Sequence, residues 1–473
     1  MKSLAKNYIW SLSYQVLLAV LPLITAPYLA RVLGAEKIGA YSFVHSIVSC
    51  FVLVAVSGTA LYGQRTIAQC HAKGTGEKQV FCELLILRIL GVCGSLGIYF
   101  GSVFQFADDR MLYLVVAVEI LAAALDISWF YQGIEEFGKI TVCNGLCKIL
   151  STTGIFLLVK DGSDLSLYAL LVGGTILLGN VMQWSFLPAM WKPDRLTKID
   201  LTRHIKPIFA LFLTQVAIQV YTVLDKTMIG ILARSNAENG YYDQAQRLIQ
   251  TLIAIVTSIG VVMASRMAHI WKSGDEKQSD DVQELLLQSF RIVFTLSIPI
   301  AVGLTIVAPW FVPIFFGDGY EPVVRLLRLL AWIIPIIGCS NIIGIQLLIP
   351  TGREVLVTRS VTVGAVVNVA LNLLMIPRYG AFGAVMASVI SEVAVTAIQM
   401  VTARKELDLR KILLLAIRYG AISLVMGLVG TVLMAGFSCG LLNMLLMICV
   451  CAVAYLSMLV LSRDPILAFV RNI

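Results

Sequence analysis

Charged side chains are scarce in this sequence, at 14% of 473 residues, where a soluble chain of that length carries about 25%. A soluble fold with so little polar surface would expose broad apolar patches and aggregate, so a water-soluble globule is excluded. Histidine is rarer still, with four residues, and none stands at a zinc-ligand spacing from cysteine. Neither an H-E-x-x-H motif nor a nucleophile–base constellation occurs, which argues against a membrane polymerase, ligase or acyltransferase. Gly74-Thr75-Gly76-Glu77-Lys78 has the wrong spacing for a phosphate-binding loop, so ATP hydrolysis is not expected, and neither is any cofactor. Long hydrophilic stretches are missing too. The longest, 191–205 and 271–284, are too short to fold a domain. The formal charge of +8 is not gathered into a basic tract, and no nucleic-acid partner is expected.

What the chain has in abundance is apolar sequence: 59% hydrophobic residues and a mean hydropathy of +0.88. Crossing ~30 Å of hydrocarbon takes about 20 apolar residues in a helix. Stretches of that kind lie near 8–31, 40–62, 81–105, 111–131, 140–159, 166–189, 206–232, 243–268, 286–316, 325–349, 356–377, 380–403, 411–435 and 439–462. The expected fold is therefore an all-α integral membrane protein of about 14 transmembrane helices. The first apolar run follows a basic start and continues past Ala30, too long for a signal h-region, and reads as an uncleaved first span. Ten cysteines are scattered, mostly inside apolar runs, as small buried hydrophobes would be. Lys and Arg are roughly threefold more frequent in the segments that share a side with the termini than in the opposite set. The positive-inside rule then places both termini in the cytoplasm.

A short internal repeat is present. The first span ends Tyr28-Leu29-Ala30-Arg31, followed by Gly39-Ala40-Tyr41; the seventh ends Ile231-Leu232-Ala233-Arg234, followed by Gly240-Tyr241-Tyr242. Two related six-helix lobes plus two extra helices fit the count, a recurrent transporter plan. The expected division is an N-terminal lobe at 1–189, a cytoplasmic linker at 190–205, a C-terminal lobe at 206–403 and two additional helices at 404–473.

Several segments resemble the polysaccharide-transporter branch of the multidrug/oligosaccharidyl-lipid/polysaccharide exporter superfamily. They are LPLITAPYLARVLG at 21–34, GAYS at 39–42, DKTMIG at 225–230, GYYDQAQR at 240–247 and PRYGAFGA at 377–384. The resemblance runs over nearly the whole chain. It implies a flippase for polyprenyl-diphosphate-linked oligosaccharides in a bacterial cytoplasmic membrane. It further implies two lobes around a cationic central cavity that opens alternately to either side. Partners implied are the lipid-linked oligosaccharide, membrane lipids, and a polymerase or glycosyltransferases of the same pathway, with a monomer as the working unit. A drug or small-cation exporter of the same superfamily is the rival, and it should favour acidic over basic cavity residues.

Charges inside apolar runs are costly and each needs a reason. Arg88, Lys148, Arg291 and Arg418 each lie roughly seven residues, ~10 Å, inside a span end. Two readings stand for each: snorkelling or structural pairing, or lining a cavity where arginine engages diphosphate oxygens. Asp225 and Lys226 are neighbours in the seventh span and point about 100° apart, so they cannot face each other. Arg31, Arg234 and Arg247 sit at span ends, and the family resemblance makes Arg31 and Arg247 cavity or gate candidates. Glu119 and Asp126 in the fourth span are candidates for pairing with Arg88 or Lys148, or for carrying a coupling cation. His45 in the second span is expected to be a hydrogen-bonded buried histidine rather than a proton carrier. Pro22 and Pro27 interrupt the first span, as a hinge or as a packing kink.

Overall fold

The computed structural model describes residues 2–56, 58–187, 199–233, 235–273 and 278–467. Among these every regular element is helical and no strand occurs. Eleven helical stretches are long and apolar enough to cross a membrane. The first of them, Ser13–Lys73, holds two of the expected spans, because the helix Lys2–Val56 breaks at Gly34 with φ 73 and ψ 168. That torsion is open to glycine and strained for other residues, so the break is written into the sequence. Pro22 and Pro27 both lie inside the helix, and the non-helical torsion falls at Gly34 instead. The helices Thr202–Leu232 and Asn236–Ser273 occupy the places expected for spans seven and eight. The turn expected at Arg378-Tyr379-Gly380 is made by Gly380, at φ 58, which ends the helix Glu354–Tyr379 and opens Ala381–Thr402.

Lipid is the solvent for this surface. On the last two helices, Leu409–Gly436 and Leu441–Leu461, Val432, Leu442 and Leu461 keep between 71% and 79% of their side chains exposed. The chain divides into two compact units, residues 1–230 with 235–240, and 231–234 with 241–473. The helix Thr202–Leu232 thus packs with the first unit up to Gly230. Of the expected linker, 190–198 lies outside the described residues, as does Arg234.

The fourth expected span, 111–131, is not one helix. It runs as Arg110–Val116, Val118–Leu125 and Ser128–Gly133, with Asp126 in an extended conformation at φ −72 and ψ 111. Breaking a helix in hydrocarbon frees carbonyls that must be paired again. Here side chains do the pairing. Asn180 Nδ2 donates to the Ala122 carbonyl at 2.8 Å, Arg88 Nε to Ala123 at 2.5 Å and Trp184 Nε1 to Leu125 at 2.8 Å. Trp129 Nε1 donates to the Asp126 carbonyl at 3.2 Å. An aromatic cluster of Phe81, Trp129, Phe130 and Tyr131 packs beside this break.

Candidate functional site

The repeat glycines come together in space. A Cβ on Gly39 would overlap the carbonyl oxygen of Asn236, and a Cβ on Gly240 would overlap the carbonyl oxygen of Ala35. Residues 35 and 39 face residues 236 and 240 reciprocally, the contact rule of a two-fold axis. Only glycine permits the two backbones to approach this closely. The same junction continues along the helix Thr202–Leu232. Phe43 packs onto Gly230, where a Cβ would collide with its ring. Ser46 Oγ and Thr227 Oγ1 share a hydrogen bond of 2.7 Å, and Asn239 Nδ2 donates to the Lys226 carbonyl at 3.0 Å. Asp225, 2% exposed, and half-buried Lys226 stand within one turn of this hydroxyl bridge. Arg31 is exposed, its Nη1 3.4 Å from the Pro27 carbonyl oxygen.

Deeper in the first unit, Arg88 is 2% exposed and its Nη2 meets Asp126 Oδ2 at 2.7 Å. Asp126 Oδ1 accepts from the Ser128 amide at 2.9 Å, so the carboxylate both caps the restarted helix and balances the guanidinium. Of the two cations considered for Asp126, the structure brings it Arg88. Glu119 meets neither Arg88 nor Lys148; its Oε2 lies 3.0 Å from His45 Nδ1. Lys148 is half-buried on the helix Phe137–Leu158.

A third charged group escapes sequence reading. Glu83 on Glu77–Gly101 is fully buried. It accepts from Gln79 Nε2 at 3.0 Å, the Asp200 amide at 3.0 Å, His204 Nε2 at 2.8 Å and Arg203 Nη2. His204 Nδ1 in turn lies 2.9 Å from the Tyr62 hydroxyl. The start of the helix Thr202–Leu232 is thereby fastened to the helices Thr59–Lys73 and Glu77–Gly101. The signal in the sequence is a lone carboxylate two residues inside the third apolar run; three of its four partners stand 117 to 121 positions away and are not visible there. Just before that start, the Thr202 hydroxyl holds the Asp200 carboxyl below the usual carboxylate range.

In the second unit, Arg247 Nε pairs with the buried Asp243 at 2.7 Å, one turn back on the same helix. Arg418 Nη2 meets buried Asp464 at 2.9 Å, and Asp464 also accepts from the Tyr419 hydroxyl and the Ile466 amide. Half-buried Arg291 has its Nε without a hydrogen-bond partner. An apolar cavity of about 520 Å³ lies among Phe294, Trp332, Cys339, Met400 and Gly420 of this unit. Among the described residues, no cluster of three His, Cys, Asp or Glu side chains could hold a metal ion.

Residues 4–271 match the profile of the polysaccharide biosynthesis protein family. A putative O-antigen transporter of Shigella dysenteriae is 23% identical over 384 residues, 79% of this chain and 93% of its own length. A probable low-salt glycan biosynthesis flippase of Haloferax volcanii is 22% identical over 77% of this chain and 76% of its own. The fold is similar to that of the lipid II flippase MurJ in an inward closed conformation, with a TM-score of 0.78 at 17% identity over 98% of this chain and 100% of that one. An inward-facing multidrug resistance MATE family transporter of the MOP superfamily gives a TM-score of 0.63 at 13% identity, over 84% of this chain and 95% of that one.

Proposed function

The chain belongs to the polysaccharide biosynthesis protein family, and from that premise we propose that it is a flippase for lipid-linked glycans. The observation that carries the reading is the similarity to putative O-antigen transporters over 79% and 85% of this chain. In this reading the chain is a transporter and not an enzyme. It moves polyprenyl-diphosphate-linked oligosaccharide repeat units from the inner to the outer leaflet of a bacterial cytoplasmic membrane, for surface polysaccharide biosynthesis. Both termini are cytoplasmic, and the lobes at 1–189 and 206–403 alternate access around a central cavity while 404–473 ride beside them.

The physical need is clear. Glycan hydroxyls do not cross hydrocarbon unaided, because each unsatisfied polar group costs several kcal/mol. An inside-negative potential favours outward movement of the diphosphate by about 2.3 kcal/mol per charge per 100 mV. Arg31, Lys148, Lys226, Arg247 and Arg291 are the cations proposed to serve the anionic head group or its gates, since each keeps part of its side chain accessible. Arg88 has its role one layer back, holding the broken fourth span. Asp225, nearly buried beside the hydroxyl bridge of Ser46 and Thr227, is proposed as a gate residue with Lys226.

Disruption of the encoding locus is expected to leave complete repeat units on the cytoplasmic leaflet, where they resist externally added glycosidase in intact cells. Lys226→Ala and Arg247→Ala, at normal protein level, are expected to restore less surface polymer than the unaltered chain. Repeat units found unpolymerised on the outer leaflet would overturn the flippase reading in favour of a polymerase or ligase.

A further inference from the structure

Glu119 lies on the helix Val118–Leu125 and is 8% exposed. Its Oε1 is buried with no hydrogen-bond partner, and its Oε2 is 3.0 Å from His45 Nδ1. That ring nitrogen makes no aligned hydrogen bond either. Charge proximity is present without the directional bond that would lock it. His45 itself keeps 37% of its side chain accessible. Around the pair, Tyr41 stacks on the imidazole at 5.5 Å with an interplanar angle of 9°, and Tyr168 of Leu165–Trp184 abuts Tyr41 at 4.8 Å. Gly173 of that same helix comes close to the Glu119 side chain, where a Cβ would stand 3.4 Å from Cγ. Apart from each other, neither His45 nor Glu119 has a charged side chain within ion-pair distance among the described residues.

An ionised carboxylate with an unsatisfied oxygen in a low-dielectric interior is costly, and proton uptake relieves the cost. Imidazole is the side chain that ordinarily changes charge between about pH 5 and about pH 8. At 3.0 Å a proton held by either group lies within reach of the other. Hard metal cations do not suit such a site. Sodium-like or divalent ions want several oxygen ligands, and the pair offers one carboxylate and one ring nitrogen.

We propose that His45 and Glu119 form a proton-binding site in the first unit, and that loading and unloading this site couples the proposed flipping cycle to the proton gradient. The coupling half rests on the flippase reading. The proton site does not, because it titrates in the isolated protein.

The test uses the full chain purified in detergent. Infrared difference spectra between about pH 5 and about pH 8, the histidine window, follow the carbonyl stretch of protonated carboxylic acid together with imidazole bands. The unaltered chain is expected to show a carboxyl signal that Glu119→Gln removes. His45→Gln is expected to shift the midpoint of that signal, whereas His71→Gln leaves it in place. The last is a matched control, since His71 and Glu77 form a similar pair at 2.8 Å on a more exposed surface. Identical titrations of the unaltered chain and Glu119→Gln overturn the site. Should Glu119→Gln not fold, an unmoved midpoint in His45→Gln overturns it equally. In cells, surface polymer made by Glu119→Gln is expected to lose its sensitivity to an electroneutral cation–proton exchanger, which collapses the pH gradient and leaves in place the potential that moves the diphosphate. Retained sensitivity with a lost carboxyl signal overturns the coupling and leaves the flippase reading intact.

Discussion

Two buried carboxylates in the first unit, Glu83 and Glu119, are 0% and 8% exposed, yet their surroundings are opposite. Four donors converge on Glu83, from a glutamine, a backbone amide, a histidine and an arginine. Glu119 has one imidazole at ion-pair distance and an oxygen with no partner. A saturated carboxylate has little to gain from a proton and much to lose, so it serves as a fastening. An under-coordinated one keeps an oxygen open to a proton, which is what the proposed carrier role requires. Burial alone does not separate structure from function here; the count of donors does.

The sharpest way to break this contrast is to remove the saturated group. Glu83→Ala leaves buried His204 and the Asp200 amide without their acceptor and unfastens the start of the Thr202–Leu232 helix. Removing one partner of a buried ion pair costs about 3–5 kcal/mol, so a large fall in the thermal unfolding midpoint in detergent is expected. A midpoint unchanged from the unaltered chain would show that the fastening contributes nothing. Next comes Arg88→Ala, which strips Asp126 of its cation and the Ala123 carbonyl of its donor. Hydrogen bonds to charged groups contribute about 1.5–3 kcal/mol each, and because Asp126 is 24% exposed and can be rehydrated, a loss at the low end for the two together, about 3 kcal/mol, is expected in the same assay. Arg88→Lys should recover only part of it, because an ammonium cannot hold the guanidinium's two directions at once.

Much of this architecture was legible beforehand, and the reasons are local. Apolar runs bounded by short polar gaps need no knowledge of contacts, so the helical membrane fold and the turn at Gly380 follow from composition and glycine placement, while the break at Gly34 falls in the gap left between 8–31 and 40–62. The repeat glycines at 39 and 240 were visible as a pattern, though not that each would receive the other's backbone. The break in the fourth span was not legible. Nothing between Ala122 and Ser128 is proline or glycine, and the broken state is held by Arg88, Asn180 and Trp184 from elsewhere in the chain. Glu119 and Asp126 were recognised as charges in need of partners, but which partner each takes is decided by packing. His45, expected to be a satisfied hydrogen-bonded histidine, stands without an aligned bond at Nδ1. Glu83 and His204 went unrecognised because the end of an apolar run is an unremarkable place for polar residues.

The repeat junction gives a third, smaller effect on stability and a large one on transport. Gly240→Leu must push the Ala35 backbone away, and overpacking of this kind costs about 1–3 kcal/mol. If reciprocal contact of residues 35–39 with 236–240 is a closed gate, the variant at normal protein level is expected to display little surface polymer. Gly94→Leu, where a Cβ would meet nothing within 4 Å, should display it normally. Equal display by both variants would reduce the junction to ordinary packing.

The smallest effect on stability should come from Glu119→Gln, and its smallness is the point. The substitution keeps the shape, removes a charge that has an unpartnered oxygen, and leaves His45 without its carboxylate. An ionised carboxylate with an unpartnered oxygen is costly to bury, and His45, 37% exposed, can be hydrated when its partner is lost, so the unfolding midpoint at neutral pH should move by less than about 1 kcal/mol equivalent. Glu83→Gln, chemically the same change, should be clearly destabilising, because Arg203 and His204 both lose a charged acceptor. Measured side by side in one detergent, the two isosteric variants isolate coordination from burial. If both lower stability equally, Glu119 is a fastening like Glu83 and the proton-carrier role loses its physical basis. If only Glu83→Gln does, the carboxylate that the fold can spare is the one positioned to change its charge.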